Sequence, residues 1–143
     1  EDYDPHARNL ILYFLDKHFP DPDHLVRPTD PLPIVVDEAE IRELFPTDDR
    51  LENYRALNKA VRELGLNIPP LVNAYMALSP EMRVFGTAIN EDFGHVEETG
   101  ILIAIDEIIP DKRVRHIETF DPDKAQSDLL WTNISRRVRL VKS

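Results

Sequence analysis

The sequence contains no cysteine, and this absence excludes several kinds of chemistry. Without thiols the chain has no disulfide, no thiolate zinc site and no cysteine nucleophile. Glycine is also scarce, with four residues scattered over 143 positions, which leaves little capacity for a glycine-rich phosphate-binding loop. The chain has no apolar run of transmembrane length and no signal-peptide pattern. We therefore expect a cytoplasmic location.

Basic residues are outnumbered by acidic ones. Seventeen Lys and Arg stand against 27 Asp and Glu, a formal net charge of −10. Binding to nucleic acid depends on neutralising phosphates with basic groups, so we expect no nucleic-acid partner. The hydrophobic content of 42% and the length fit one domain with a sizeable core.

One stretch, residues 66–105, carries the clearest structural signals. Pro69 and Pro70 predict the start of a helix with an apolar stripe from Leu71, ending before Ser79-Pro80. Two extended runs follow, at 82–89 and 98–105, separated by a loop of turn-forming residues. The apolar residues 101–105 point to both faces of the second run, so we expect a strand inside a sheet covered on both sides.

The other segments predict mainly helices. Helical patterns run from Asp4 to His18, from Asp37 through Phe45, from Leu51 to Leu64 and over the basic residues 112–116. Five prolines between positions 20 and 33 predict an extended connector lying over a surface. The class is α/β (α+β), with about five helices, one β-hairpin and an incomplete sheet. An exposed strand edge would favour self-association or a covering segment. The alternative is a helix-rich domain with a small hairpin.

The densest polar cluster lies in the loop between the two extended runs. Its members are Asn90, Glu91, Asp92, His95, Glu97 and Glu98. Carboxylates beside a histidine can act as a general base, because burial and like charges raise the pKa of a carboxyl group. The alternatives are a solvated turn, with Gly94 at positive φ, and a metal site. A single nearby histidine disfavours the metal site, so we predict no bound metal.

Two further side chains have alternative interpretations. Tyr75 lies in the middle of the apolar stripe, so it is a core tyrosine with its hydroxyl at a rim, or a proton donor. His116 follows Arg115 in a basic turn, where it is an exposed histidine or an anion contact.

Several motifs, taken in order, resemble a known family. They are residues 68–76 (IPPLVNAYM), Gly86, residues 92–94 (DFG), the apolar run and residues 115–116 (RH). This order is similar to the C-terminal half of GNAT-related bacterial N-acyltransferases of the ornithine-lipid and glycine-lipid synthase type, often labelled hemolysin-like. The resemblance covers residues 3–120. It implies the C-terminal half of a GNAT-like domain at 1–120 and a C-terminal extension at 121–143.

The resemblance also implies an activity. Such enzymes transfer a fatty acyl group from acyl carrier protein to the amino group of an amino acid or aminolipid. The acyl-phosphopantetheine thioester is then a substrate, and no cofactor is tightly bound. Asp92 and Glu97 are the catalytic candidates, and Asn90, Tyr75 and Glu98 are the substrate-binding candidates. Because no pyrophosphate-type loop is present, we expect the isolated chain to be inactive. The alternative is a non-catalytic accessory domain that binds a partner protein and positions a fused acyltransferase.

A carrier-protein docking surface on this chain should be basic, because acyl carrier proteins are strongly acidic. Two groups qualify, one in residues 112–116 and one in the tail at residues 136–142. We favour the first, which lies within the resemblance and comprises Lys112, Arg113, Arg115 and His116. The alternative is an ordinary helix surface balanced by Asp111 and Glu118. With a lipid product, the protein could also associate peripherally with the inner membrane surface.

Overall fold

The computed structural model describes residues 3–115 of the chain. Within this range, five α-helices and one two-stranded antiparallel sheet form an α+β arrangement, as expected for a partial GNAT-like fold. None of the described helices has the length and apolar character needed to cross a membrane. The predicted extension at 121–143 lies outside the described residues. The elements are α1 (Pro5–His18), α2 (Glu38–Leu44), α3 (Arg50–Glu63), α4 (Pro70–Leu78), β1 (Arg83–Asn90), β2 (Val96–Leu102) and α5 (Pro110–Arg113).

Aspartate caps fix the starts of the first three helices. Asp4, Asp37 and Asp49 each accept a hydrogen bond from a backbone N–H in the first turn of the helix that follows. Each cap of this kind stabilises a helix by about 1 kcal/mol. The predicted helices at 4–18, 37–45 and 51–64 are confirmed, with small shifts at their ends.

The core forms around α1, which packs against α3 and β1. The largest fully buried side chains include Phe14 and Leu10 of α1 and Leu57 and Val61 of α3. Three apolar positions of the predicted helices, Leu51, Leu64 and Leu71, are exposed instead of buried. Each lies at or near a helix end, where the stripe has already rotated away from the core.

The apolar run at 101–105 is not the interior strand that its composition predicts. β2 starts earlier, at Val96, and ends at Leu102, and most of its residues are exposed. Ile103 then leaves the sheet and enters the core, where it is 5% exposed, and a 3₁₀ turn follows at Ile105–Glu107. The apolar side chains in this run therefore serve the helical core, and the predicted covering of both sheet faces is wrong.

The proline-rich connector lies along β1, as predicted for a surface-bound segment. Pro31 forms an isolated antiparallel bridge with Ala88, and the Leu32 N–H donates to the Thr87 carbonyl at 2.8 Å. The predicted antiparallel pairing of the two strands is confirmed. Among residues 3–115 no strand pairs with the outer edge of β2. Self-association through this edge stays a prediction.

Candidate functional site

The acidic cluster lies at the tip of the β1–β2 hairpin. The chain reverses through a 3₁₀ turn at Glu91–Phe93, and Gly94 and His95 have φ of 80° and 59°. The positive φ predicted for Gly94 is confirmed. The Asp92 carboxylate is exposed and forms no hydrogen bond with any other residue in the described range. It is therefore free to contact a ligand.

The strand register separates the remaining carboxylates. Glu97 is paired with Ile89, and Glu98 with Ala88. Because successive side chains point to opposite faces of a strand, Glu97 and Glu98 lie on opposite faces of the hairpin. The structure thus does not bring these two predicted site residues together.

Glu97 is tied to the first helix. Its carboxylate forms an ion pair with Arg8 of α1, whose Nε also donates to the Asn9 side-chain oxygen at 3.2 Å. The buried Asn9 amide in turn donates to the Val35 carbonyl at 2.9 Å. This network joins α1, the connector and the start of β2, so it holds the base of the acidic loop in place.

Arg8 is a site residue that the sequence did not reveal. It lies 89 positions from Glu97, and nothing in its local helical pattern marks it as a partner of the loop. Its role in holding Glu97 becomes visible only in the folded structure, where the two side chains meet. A more local contact joins the hydroxyls of Thr87 and Thr99, which face each other across the hairpin, at 2.7 Å.

The other predicted substrate-binding residues occupy different places. Asn90 is half-buried at the last position of β1, opposite Val96. Tyr75 lies on α4 and is half-buried against the core cluster, which favours its interpretation as a core tyrosine. The loop also exposes apolar surface, since Phe93 is 76% and Val96 is 46% exposed.

The predicted docking residues lie beyond the sheet. α5 begins two residues earlier than predicted, at Pro110, and Lys112 and Arg113 are half-buried. The Arg113 guanidinium lies 3.9 Å from the Asp106 carboxylate, and Arg115 is exposed. His116 lies outside the described residues. A docking role for these residues stays a prediction.

Two surface grooves are lined by residues outside the hairpin. One, of about 430 Å³, runs along α3, and another, of about 580 Å³, lies between α1, α2 and the connector. Neither is lined by any of the predicted site residues. No group of three or more metal-ligating side chains occurs in the part of the chain that the structure describes.

Two curated relatives indicate the chemistry that this chain is related to. Over 118 residues the chain is 60% identical to a glycine N(alpha)-acyltransferase of Bacteroides thetaiotaomicron and 61% identical to one of Phocaeicola vulgatus. These names support an N-acyltransferase. Each match covers 82% of this chain but only 35% or 36% of the relative, so the chain spans about a third of the length of these relatives.

The other two comparisons add no assignment. No family model matches the sequence, and no solved structure matches it. The link to acyl transfer therefore comes from these sequence relatives, and the arrangement of the hairpin comes from the structure alone.

Proposed function

We propose that this chain is part of an enzyme that transfers a fatty acyl group from an acyl carrier protein thioester to the α-amino group of glycine. One observation carries this proposal: identity of 60% over 118 residues to a glycine N(alpha)-acyltransferase. The carrier-protein donor and an amino-acid lipid product of the hemolysin-like type rest on the family resemblance of residues 3–120.

The chemistry sets the requirements of the site. The amine nitrogen attacks the thioester carbonyl carbon, a C–N bond forms, the C–S bond breaks, and the thiol leaves with a proton. Because a protonated amine has no free electron pair, a base must take a proton from glycine before or during attack. A hydrogen-bond donor must also stabilise the negative charge that develops on the carbonyl oxygen.

The hairpin tip offers groups suited to the acceptor side of this reaction. Asp92 is exposed and has no competing hydrogen bond among residues 3–115, so its carboxylate can attract the glycine ammonium and accept a proton. Glu97 is the second catalytic candidate, and Arg8 already holds its carboxylate in a fixed position. Asn90 and Glu98 flank these two groups along the strands and are candidates for substrate contacts, as is Tyr75 on α4.

A second candidate function is a non-catalytic accessory domain. The observation that favours it is the exposure of Asp92 and Glu98, together with the absence of both from the two grooves. In that case the chain would bind a partner protein and position an acyltransferase domain elsewhere in the protein.

The test uses the full-length protein that contains this segment. It is incubated with acyl carrier protein thioester and glycine, and the product is identified by mass spectrometry. We expect N-acylglycine to form, with glycine preferred when other amino acids compete. Failure to acylate any amine from a carrier-protein or a small-molecule thioester would contradict the proposal. Acylation that persists after deletion of residues 3–115 would favour the accessory function.

A further inference from the structure

The solvent-facing side of α3 concentrates positive charge. Arg55, Lys59 and Arg62 follow at i, i+4 and i+7, a spacing that places them on one side of a helix. The opposite side is fixed in the core, where Leu57 and Val61 are 1% and 0% exposed. The packing of Leu57 and Val61 in the core therefore turns the three basic side chains toward solvent. We call this surface the α3 basic face, and it consists of Leu51, Arg55, Asn58, Lys59, Arg62 and Glu63.

Two carboxylates share this side of α3 but pair with neither arginine: Glu52, three residues before Arg55, accepts a hydrogen bond from the Thr47 hydroxyl at 2.9 Å, and Glu63 lies near Lys59. Lys59 lies 3.9 Å from Glu63, and both side chains are largely exposed, at 80% and 67%. Arg55 and Arg62 form no ion pair with any residue between 3 and 115. The groove of about 430 Å³ along α3 is lined by five of the six residues of the face, all except Leu51. Two free guanidinium groups therefore border a concave surface.

We propose that the α3 basic face docks the acidic carrier protein that delivers the acyl thioester. This assignment rests on the proposed function for the identity of the cargo. The charge argument is independent, because a chain at −10 repels an acidic partner except where positive charge is locally concentrated. With a Debye length of about 10 Å at 0.1 M salt, a partner close to α3 responds to these cations more than to distant carboxylates.

Other anionic partners fit the surface less well. A helix that binds membranes inserts a free apolar face, whereas the apolar face of α3 is buried in the core. Leu51, at 57% exposure, is the one large apolar side chain of the face. Nucleic acid is disfavoured by the net charge of the chain. A folded protein with a negatively charged surface needs neither insertion nor a strongly basic chain.

The structure also favours α3 over the segment singled out by the sequence. In that segment Arg113 lies near Asp106, and Lys112 is half-buried. On α3, Arg55 and Arg62 are both exposed and not paired with an acid in the described range. The α3 basic face and the segment at residues 112–116 can be compared directly. In each of them two arginines can be replaced by glutamate, which changes the net charge by the same amount.

The experiment measures association of acyl carrier protein with the full-length protein by stopped-flow fluorescence at several salt concentrations. Arg55→Glu/Arg62→Glu should lower the association rate constant by about tenfold at low salt, and the difference should shrink as salt rises. Arg55→Gln/Arg62→Gln should give a smaller decrease. The matched control is Arg27→Glu/Arg42→Glu, two exposed arginines on other elements, which should change the rate by less than about twofold. Circular dichroism checks that each variant is folded.

Several results would overturn the docking proposal. One is an unchanged rate for Arg55→Glu/Arg62→Glu at low salt. Another is an equal or larger effect of Arg113→Glu/Arg115→Glu. A third is that Arg55→Glu/Arg62→Glu loses binding to anionic vesicles but still associates with the carrier protein at the wild-type rate. The α3 basic face would then be a membrane-binding surface. A wild type that acylates glycine from acyl-pantetheine but does not bind the carrier refutes docking alone. A wild type that binds the carrier through α3 but acylates nothing refutes the proposed function alone.

Discussion

Replacing Gly86 by alanine tests how the connector is held against the sheet. Gly86 has φ of +110°, and a Cβ atom built there would lie 3.1 Å from Cγ of Pro28. A non-glycine residue in such a backbone conformation costs about 1–3 kcal/mol. The contact with Pro28 adds to this cost because the proline ring is held in the connector beside β1. We expect Gly86→Ala to lower the free energy of unfolding by about 2 kcal/mol, near the middle of that range.

Two other glycines distinguish the cost of backbone strain from the cost of the contact with Pro28. Gly94 has φ of +80° but open space around its position, so Gly94→Ala adds backbone strain without a contact. At Gly100 the nearest atoms belong to Phe85 at 3.4 Å, so Gly100→Ala should change stability by no more than about 0.5 kcal/mol. We therefore expect the order of destabilisation Gly86→Ala, then Gly94→Ala, then Gly100→Ala.

Thermal and urea unfolding of the 143-residue chain measure this order. At roughly 4 °C per kcal/mol for a domain of this size, Gly86→Ala should lower the Tm by about 8 °C. A Tm within about 2 °C of wild type, or an equal loss for Gly100→Ala, would refute the close approach of Pro28 to β1.

The remaining predictions concern His18 and the Arg8–Glu97 pair. Burial, helped by Lys17 and Arg50, lowers the pKa of His18, whose Nε2 accepts a hydrogen bond from Asn53 at 2.9 Å. The contribution of neutral His18 to the free energy of unfolding should therefore be fully present above its unfolded-state pKa of about 6.5. It should be lost as the pH falls through the lower folded-state pKa, because the unfolded chain binds the proton at a higher pH than the folded chain does. Urea unfolding from pH 7.5 to 5 should show this slope, and it should be shallower in His18→Gln; equal slopes would contradict it. Arg8→Ala should cost no more than about 1 kcal/mol, as for other partly exposed ion pairs. It should nevertheless speed amide hydrogen exchange in β2, and unchanged exchange would mean that the pair does not hold the loop.

Local chemistry accounts for what the sequence predicted correctly. Asp4 and Asp37 stand at the predicted starts of their helices and cap them, and Gly65, with φ of 77°, follows α3 in the left-handed conformation typical of a glycine at a helix C-terminus. The turn at Gly94 is equally local. In each case the residues that determine the conformation lie within a few positions of it, so the pattern is visible in the sequence.

The features that the sequence did not reveal depend on distant partners. Residues 101–105 are apolar enough for a buried strand, but the core built by α1 and α3 takes Ile103 out of the sheet. The Arg8–Glu97 pair and the close approach of the Pro28 ring to Gly86 likewise join separate segments. The sequence places the acidic residues around one loop, and the structure has this loop at the tip of the hairpin. The separation of Glu97 and Glu98 onto opposite faces required the strand register.

The most direct test of the proposed chemistry is the kcat/KM for glycine of the full-length protein with Asp92→Asn. A general base contributes about 10²–10⁴ to a rate, so the variant should lose at least about 100-fold in acylation of glycine. Glu43→Gln, at an exposed position of α2, is the matched control and should retain wild-type kinetics. If Asp92→Asn acylates glycine as fast as the control, Asp92 is not the base, and its assignment to the acceptor site is wrong.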